Sequence, residues 1–213
     1  MSLGAHYKEI KKFLELFGTS LVAVTKQQSE EKVDEILALG HRLFGENKVQ
    51  EAKQRWRDSD RLQKCPDIRL HLIGGLQTNK VKEAVALFDV IETLDSEKLV
   101  AALAKEIQKQ KKNIECFIQV NTGRELQKNG VMPDVLESLL HSAIQEHGLR
   151  VTGLMCIPPV DEDPVPHFIL LRNLAKQHGL QHLSMGMSGD YKQAAEQGAT
   201  FVRVGTALFG ERI

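Results

Sequence analysis

The chain contains few residues that could form covalent cross-links or bind a metal. Of its 213 residues only three are cysteines, Cys65, Cys116 and Cys156, and no two of them form a CxxC pair. An odd number of widely separated cysteines argues against a disulfide framework or a zinc knuckle and fits a reducing compartment. The eight histidines show neither HxH nor HExxH spacing. We therefore expect a cytoplasmic protein without a metal site.

Net charge and long apolar runs are also missing. The 28 basic and 28 acidic residues cancel, so the composition favours neither nucleic acid nor a membrane surface as a partner. No apolar segment approaches the ~20 residues that span a bilayer. The opening segment MSLGAHYKEIKK lacks the apolar stretch of a signal peptide. Hydrophobic residues still make up 42% of the chain, which is enough for a core. We expect a soluble monomer.

What the sequence does contain is a repeated short apolar run, rich in β-branched residues, that alternates with longer segments of helical spacing. The runs recur at intervals close to the ~30 residues of one β-crossover-β unit. They predict eight strands, at 21–26, 41–45, 69–73, 90–94, 116–121, 151–157, 182–187 and 201–205. One helix is predicted before the first strand and seven between the strands, at 5–17, 30–39, 47–57, 79–87, 96–112, 134–147, 165–178 and 190–197.

Successive strand–helix units without a reversal predict parallel strands and right-handed crossovers. A closed (β/α)8 barrel or an open doubly wound sheet would satisfy this pattern, and eight strands favour closure. A doubly wound sheet should carry a GxGxxG turn after its first strand, whereas the segment VTKQQS contains no glycine. No linker interrupts the series. The predicted fold is therefore of the α/β class, a single-domain TIM-type barrel over residues 1–213 with an extra N-terminal helix.

Functional side chains in such a barrel lie at the carboxyl ends of the strands. Lys26 closes the first predicted strand, and Asn47 follows the second. A lysine in this position is either a solvated surface charge or a partly desolvated amine in the barrel mouth, suited to forming a Schiff base with a carbonyl. Asn47 is expected to be the N-cap of the next helix, and a cap at this position also points into the mouth.

The turns after the seventh and eighth strands could bind an anion. Ser188 and Gly189 form the first turn, and Gly205 and Thr206 form the second. Backbone N–H groups and hydroxyls in such turns can cradle a phosphate, and phosphate sites after strands 7 and 8 recur in barrels. For either turn alone, a plain turn in which glycine supplies a positive φ is the better interpretation. Together the two turns predict a phosphate site.

Two further polar residues are predicted to lie inside the barrel. Arg203 lies two residues before Gly205, on the same side of the eighth strand, and so faces the interior. An unpaired guanidinium is costly there, so we expect a ligand atom or a carboxylate to face it. No Asp or Glu stands out at an inward strand position. His71, in the third strand, is expected to be a buried, hydrogen-bonded core residue.

Seven motifs, taken in order, resemble the YggS/PROSC family of pyridoxal 5′-phosphate (PLP) homeostasis proteins, and they cover nearly the whole chain. The motifs are LVAVTK, FGENKVQE, HLIGGLQTNK, IQVNTGRELQKNG, GLMCIPP, LSMGMSGD and VRVGTALFG. The resemblance implies a single-domain (β/α)8 barrel similar to the N-terminal domain of alanine racemase, with PLP held as a Schiff base on Lys26. It also implies phosphate binding by Ser188-Gly189 and by Gly205-Thr206, and places Asn47 and Arg203 in the pocket.

The chain departs from the family pattern at a few positions. The family usually has a histidine where this chain has Gly75 and an aromatic residue where it has Lys48. The lysine of a later loop is matched by Lys128, but Asn129 rather than serine follows it. These departures bear on loop packing and PLP release. They leave the Schiff-base lysine and the phosphate turns in place.

The resemblance implies a protein that sequesters PLP and hands it to PLP-dependent apo-enzymes without catalysing a reaction. A PLP-dependent amino-acid racemase is the alternative. In alanine racemase a tyrosine from an added β-domain is the second base, whereas here the sequence ends at Ile213 and its tyrosines are Tyr7 and Tyr191. Arg203 near the pyridine nitrogen would keep it unprotonated and weaken it as an electron sink. A class I aldolase or another phosphosugar barrel would use Lys26 and the phosphate turns without PLP.

Overall fold

The eight strands of the computed structural model, which describes residues 2–210, pair in parallel in chain order and close into a barrel. Met1 and residues 211–213 of the predicted domain lie outside the described residues. The structure confirms the predicted (β/α)8 architecture. The strands are β1 Ser20–Val24, β2 Leu43–Glu46, β3 Arg69–Leu72, β4 Val90–Leu94, β5 Glu115–Gln119, β6 Arg150–Met155, β7 His182–Ser184 and β8 Phe201–Val204.

Helices surround the barrel, as predicted, although the sequence pattern does not indicate the short helices α4 and α10. The α-helices are α1 Leu3–Glu15, α2 Glu30–Ala38, α3 Val49–Ala52, α4 Arg61–Lys64, α5 Val81–Leu87, α6 Glu97–Gln110, α7 Leu136–His141, α8 Pro164–Gln177, α9 Tyr191–Glu196 and α10 Thr206–Phe209. Two π-helical turns continue α3 and α7, at Lys53–Arg57 and Ser142–Glu146, and 3-10 turns lead into α5 and α7 at Thr78–Lys80 and Pro133–Val135.

The extra N-terminal helix, α1, forms because its sequence is capped and amphipathic. The Ser2 hydroxyl accepts a hydrogen bond from the Ala5 amide, which satisfies one of the free donors at the start of the helix. Tyr7, Ile10 and Leu14 recur at helical spacing and are buried. This apolar face packs α1 beside α2 and α10, outside the strands. None of the helices within residues 2–210 combines the length and apolar character that crossing a bilayer requires.

The barrel interior contains a small apolar cluster, separate from the large core between the strands and the helices. Val90, Phe117 and Met155 pack there, with Phe201 against them. The ring of Phe201 lies 5.2 Å from that of His71, measured between centroids. Phe201 begins β8 and Val90 begins β4, whereas Phe117 lies within β5 and Met155 ends β6, so the cluster fills the barrel interior. A ligand is therefore expected at the carboxyl ends of the strands, where barrel sites lie.

Candidate functional site

A cavity of about 390 Å3 opens at the carboxyl ends of the strands. Residues as far apart in sequence as Val24 and Thr206 meet there, because a closed barrel brings all eight strand ends to one face. All seven residues predicted for the site line this cavity, namely Lys26, Asn47, Ser188, Gly189, Arg203, Gly205 and Thr206. Five further residues complete the lining, namely Val24, Gln28, Ile73, Ile157 and Met187.

Lys26 lies in a turn rather than at the end of a strand. Strand β1 ends at Val24, two residues earlier than predicted, because Thr25 begins a tight turn. The Gln28 amide donates to the Thr25 carbonyl at 3.0 Å, and Gln27 between them has a φ of 59°. Lys26 is half-buried and lines the cavity. The structure therefore gives the amine access to the cavity from a turn of defined conformation.

Asn47 lines the cavity, but the prediction that it caps a helix is wrong. Strand β2 runs to Glu46, so α3 begins only at Val49, and Lys48 takes the N-cap position without a side-chain hydrogen bond. The backbone of Asn47 is instead fixed by packing on Gly74, where a Cβ atom would lie 2.1 Å from the Asn47 carbonyl oxygen. A glycine at position 74 thus allows the loops after β2 and β3 to approach each other, which holds Asn47 at the cavity.

The two turns at the other side of the cavity are joined by one hydroxyl. Ser188 Oγ accepts hydrogen bonds from the amides of Gly205, at 3.3 Å, and Ala207, at 3.1 Å. This contact places the turn after β7 against the start of α10. Gly189 and Thr206 line the cavity together with Ser188 and Gly205. The two turns that the sequence predicts to form a phosphate site therefore lie side by side.

The interpretation of Gly189 and Gly205 as residues that merely supply a positive φ is wrong. Gly205 has a φ of −112°, and Gly189 is not among the glycines of positive φ. A Cβ atom at Gly189 would meet no protein atom within 4 Å, and one at Gly205 would lie 3.5 Å from its nearest neighbour, in ordinary contact. Neither the backbone nor protein packing requires glycine here. The missing side chains leave room for a ligand to approach the backbone.

Arg203 faces the barrel interior, as predicted, and is 4% exposed. Its guanidinium donates to Ser184 Oγ at 2.7 Å and to the Cys156 carbonyl at 2.8 Å. The carboxylate expected to face it is Glu92, whose Oε2 lies 4.0 Å from Arg203 Nη1. Ser184 links the two, because its hydroxyl donates to the same Glu92 oxygen at 2.6 Å. Of the two partners expected for the buried guanidinium, a ligand atom or a carboxylate, the structure shows the carboxylate.

Glu92 also shows that the sequence reasoning missed an inward-facing carboxylate. It lies within strand β4 (VIETL), is fully buried, and contacts His71 Nδ1 through Oε1 at 2.5 Å. Burial alone would raise the pKa of Glu92, but the hydrogen bond to His71 and the charges of His71 and Arg203 outweigh it and lower the pKa. His71 is the buried, hydrogen-bonded residue that the sequence predicts. The available signal was a glutamate between apolar residues in a short strand.

A second buried carboxylate, Glu46, lies against the turn that carries Lys26. It is 1% exposed and accepts hydrogen bonds from Thr25 Oγ1 and, at 2.8 Å, from Trp56 Nε1. Burial raises the pKa of Glu46 above its ordinary value. Arg55 donates to the carbonyls of both Thr25 and Gln28. Sequence reasoning missed these contacts, because no motif marks Glu46 or Arg55 as partners of a turn that is distant in sequence.

The remaining residues that the sequence singled out lie away from the cavity. Tyr191 packs its buried ring on Phe13, and the Tyr7 hydroxyl lies 3.4 Å from His41 Nδ1. Lys128 pairs with Glu125 at 2.7 Å beside a smaller neighbouring cavity. Gly75 and Asn129, two positions at which the chain departs from the family pattern, lie next to each other. A Cβ atom at Gly75 would lie 3.0 Å from Asn129 Nδ2.

The amino-acid sequence of the chain is similar to those of known proteins over most of its length. The family model described as "Alanine racemase, N-terminal domain" matches residues 2–213. The pyridoxal phosphate homeostasis protein of Aquifex aeolicus is 40% identical over 205 residues, which cover 90% of this chain and 86% of that protein. The protein of the same name from Homo sapiens is 34% identical over 209 residues, covering 90% of this chain and 76% of that protein.

Solved structures show the same fold. PipY of Synechococcus elongatus, solved with PLP bound, superposes with a TM-score of 0.87 at 32% sequence identity, over 98% of this chain and 100% of that chain. An alanine racemase of Clostridium difficile gives a TM-score of 0.77 at 11% identity, over 98% of this chain and 56% of that one, which is a likeness of fold alone. By sequence over most of its length, the chain belongs to the family of pyridoxal phosphate homeostasis proteins.

Proposed function

We propose that this protein binds PLP reversibly on Lys26 and serves PLP homeostasis by sequestering the cofactor and handing it on, without catalysing a reaction. The observation that carries the proposal is that a lysine amine, a buried guanidinium and two ligand-accessible turns line one cavity. Its volume, about 390 Å3, lies in the range of small-ligand sites. The name of the relatives and the PLP bound to PipY support the same ligand.

The residues present fit the chemical groups of PLP. The Lys26 amine would form a C=N bond with the aldehyde carbon, with release of one water, and hydrolysis or attack by another amine would reverse it. Ser188, Gly189, Gly205 and Thr206 would hold the phosphate through hydroxyls and backbone amides. Asn47 and Arg203 would contact the ring. No carboxylate of residues 2–210 lines the cavity, so its charged side chains, Lys26 and Arg203, suit an anionic ligand.

Sequestration has a chemical reason. A free aldehyde reacts with amines and thiols, so binding it to one amine keeps it from others. The one cysteine next to the site fits this role: the Cys156 carbonyl accepts from Arg203, and burial raises the pKa of the Cys156 thiol to about 12. The raised pKa disfavours the thiolate, which is the form that would compete with Lys26 for the aldehyde.

The contacts of the site also support a carrier rather than a racemase. A racemase needs an acid–base group on each face of the substrate. Neither Tyr7 nor Tyr191 lines the cavity. Glu92 contacts Arg203 from within the barrel and is itself not part of the cavity lining, so a ring in the cavity would meet the guanidinium. A guanidinium at that position does not favour a protonated pyridine nitrogen.

We further propose that residues 1–213 form one PLP-binding domain that acts as a cytoplasmic monomer and passes PLP to PLP-dependent apo-enzymes. The free state of Cys65, Cys116 and Cys156 supports a reducing compartment. Light scattering of the purified protein measures the oligomeric state. Mixing the PLP-loaded protein with an apo-enzyme in the presence of a PLP-trapping amine measures direct transfer, because only direct transfer restores activity under those conditions.

The visible absorption spectrum of the protein with PLP, before and after borohydride reduction, tests the function. We expect an imine band that reduction removes, with the reduced cofactor on the peptide that contains Lys26. Lys26→Ala should lose the band while keeping its far-UV circular dichroism, and Lys80→Ala, a half-exposed lysine paired with Glu83, should keep it. Reduced PLP on Lys80 or Lys128 would refute the assignment. Borohydride trapping of a phosphorylated ketose, without uptake of PLP, would favour an aldolase instead.

A further inference from the structure

The turn that carries Lys26 has a conformation that needs support from outside. Lys26 occupies the second position of the β-turn 25–28, and Gln27, the third, has a φ of 59°. A residue other than glycine is uncommon in this left-handed region. Within the turn, one backbone hydrogen bond of 3.0 Å joins the Gln28 amide to the Thr25 carbonyl. Such a conformation persists where surrounding groups hold it.

Arg55 supplies that support from another element. Its guanidinium donates to the Thr25 carbonyl through Nη1 and to the Gln28 carbonyl through Nη2, the latter at 2.7 Å. The two bonds join the first and last residues of the turn to one rigid, planar group. The Arg55 side chain is 14% exposed, and its Nε donates to Glu30 at the start of α2. Charge-assisted hydrogen bonds of this kind are stronger than neutral ones.

Glu46 joins Arg55 and Trp56 to the same turn. Its buried Oε1 accepts from Thr25 Oγ1 and from Trp56 Nε1, and lies 4.0 Å from Arg55 Nη1. Trp56 is fully buried and packs on Phe44 of β2, with ring centroids 4.6 Å apart. We call Glu46, Arg55 and Trp56 the turn clamp. The clamp ties the Lys26 turn to the hydrophobic core.

Two of the three clamp residues, Arg55 and Trp56, lie in a π-helical turn. Residues Lys53–Arg57 continue α3 with a wider turn, shown by the Asp58 amide donating to the Lys53 carbonyl at 3.0 Å. The wider turn accommodates one extra residue. Arg55 and Trp56 are adjacent in sequence, yet both reach the Lys26 turn or the carboxylate beneath it. Such π-turns occur frequently at functional sites.

We propose that Arg55 is a positioning residue, which acts with Glu46 and Trp56 to aim the Lys26 amine at the aldehyde of a ligand in the cavity. The inference rests on the proposed function. A bond between two groups forms faster when both are held in the reactive geometry, because the entropy of alignment is lost beforehand. The phosphate turns hold one reactant, and the turn clamp holds the other. Arg55 itself is not among the residues that line the cavity.

The experiment compares Arg55→Gln with Arg42→Gln as a matched control. Arg42 also bonds two backbone carbonyls, those of Leu37 and His41, and one carboxylate, Asp67, but it precedes β2 at the other end of the barrel. Each variant is titrated with PLP and, separately, with pyridoxine 5′-phosphate, which carries the phosphate but no aldehyde. Stopped-flow absorbance gives the rate of imine formation, and calorimetry gives the affinity for pyridoxine 5′-phosphate.

We expect Arg55→Gln to slow imine formation by about tenfold or more, which corresponds to the loss of at least one charge-assisted hydrogen bond. Its affinity for pyridoxine 5′-phosphate should stay within about twofold, since the phosphate turns are untouched, and Arg55→Lys should recover part of the rate. An unchanged rate in Arg55→Gln would overturn the proposal. So would an equal loss for both ligands, or an equal loss in Arg42→Gln.

Hydrogen exchange of the ligand-free protein separates this proposal from the proposed function. If the unmodified protein formed no imine with PLP, that result would refute the proposed function but would not test the clamp. The Gln28 amide would still report on the clamp, because its bond to Thr25 closes the turn. We expect its exchange to be faster by about tenfold in Arg55→Gln and unchanged in Arg42→Gln. Unchanged exchange in Arg55→Gln would show that Arg55 does not hold the turn.

Discussion

Replacing Glu92 with glutamine should expose how much the barrel depends on one buried charge. Glu92 has no exposed surface and contacts His71 at 2.5 Å and Ser184 at 2.6 Å. Glu92→Gln keeps the size of the side chain but leaves Arg203 without a counter-charge. Removing one partner of a buried ion pair typically costs about 3 to 5 kcal/mol. We expect about 3 kcal/mol, the lower end of that range, because Arg203 keeps its bonds to Ser184 and the Cys156 carbonyl.

Urea unfolding of the ligand-free protein at pH 7 measures this loss. Asp134→Asn is the matched control. It breaks an exposed ion pair in which Arg124 donates two hydrogen bonds to Asp134, so it should change the free energy of unfolding little. Adding Arg203→Met to Glu92→Gln should recover part of the loss, because both buried charges are then gone.

The pH dependence of the same measurement has a defined sign. The pKa of Glu92 is lowered in the folded protein, so its ionised form stabilises the fold above the pKa of the unfolded chain. That contribution is lost as the pH falls through the lowered, folded-state pKa. The difference between the unmodified protein and Glu92→Gln should therefore be full at pH 7 and shrink in acid. Equal stability of the two proteins at pH 7 would refute the role of Glu92 as a counter-charge.

Two further predictions concern the cavity. Ser188→Ala and Thr206→Val should each weaken PLP affinity, measured by equilibrium dialysis, by about tenfold to a hundredfold, because hydrogen bonds to charged groups are worth about 1.5 to 3 kcal/mol. The affinity for pyridoxal, which lacks the phosphate, should be nearly unchanged in both variants. Equal losses for both ligands would make these turns purely structural. Incubation of the PLP-loaded protein with L-alanine in deuterated water should give no α-deuteration above that caused by free PLP; faster exchange that is lost in Lys26→Ala would make the protein an enzyme.

The sequence predicts the fold because the signal is repeated eight times. Side chains along a strand alternate between the barrel interior and the surrounding helices, and this alternation in the eighth strand correctly places Arg203 in the barrel interior. The fourth strand begins and ends where the sequence predicts, at Val90 and Leu94. Errors concentrate at the strand ends near the cavity. There the strands end and turns begin, as at Thr25. The local composition does not indicate at which residue the inter-strand hydrogen bonding stops.

The parts of the site that escaped prediction depend on contacts across the barrel. Glu92 and Ser184 lie 92 residues apart and meet because β4 and β7 face each other inside a closed barrel. Identifying the partner of a buried charge requires that geometry, which the strand pattern alone does not contain. The π-turn is a similar case. Its wider hydrogen-bonding pattern has no sequence signature, so the sequence predicts one regular helix over 47–57 and gives no sign that Arg55 contacts the Lys26 turn.

The arrangement of charge gives a physical reason for the proposed role, in which the barrel would hold PLP without catalysing a reaction. Glu92 neutralises Arg203 from the interior, while the guanidinium alone lines the cavity. A pyridine nitrogen beside that group would meet a hydrogen-bond donor rather than a carboxylate. A carboxylate beside the ring nitrogen would favour its protonated form. The nearby carboxylate is that of Glu92, but its two oxygens already form hydrogen bonds with His71 and Ser184. The same buried pair stabilises the barrel and fixes Arg203 in place, and under the proposed function it would keep a bound ring a weak electron acceptor.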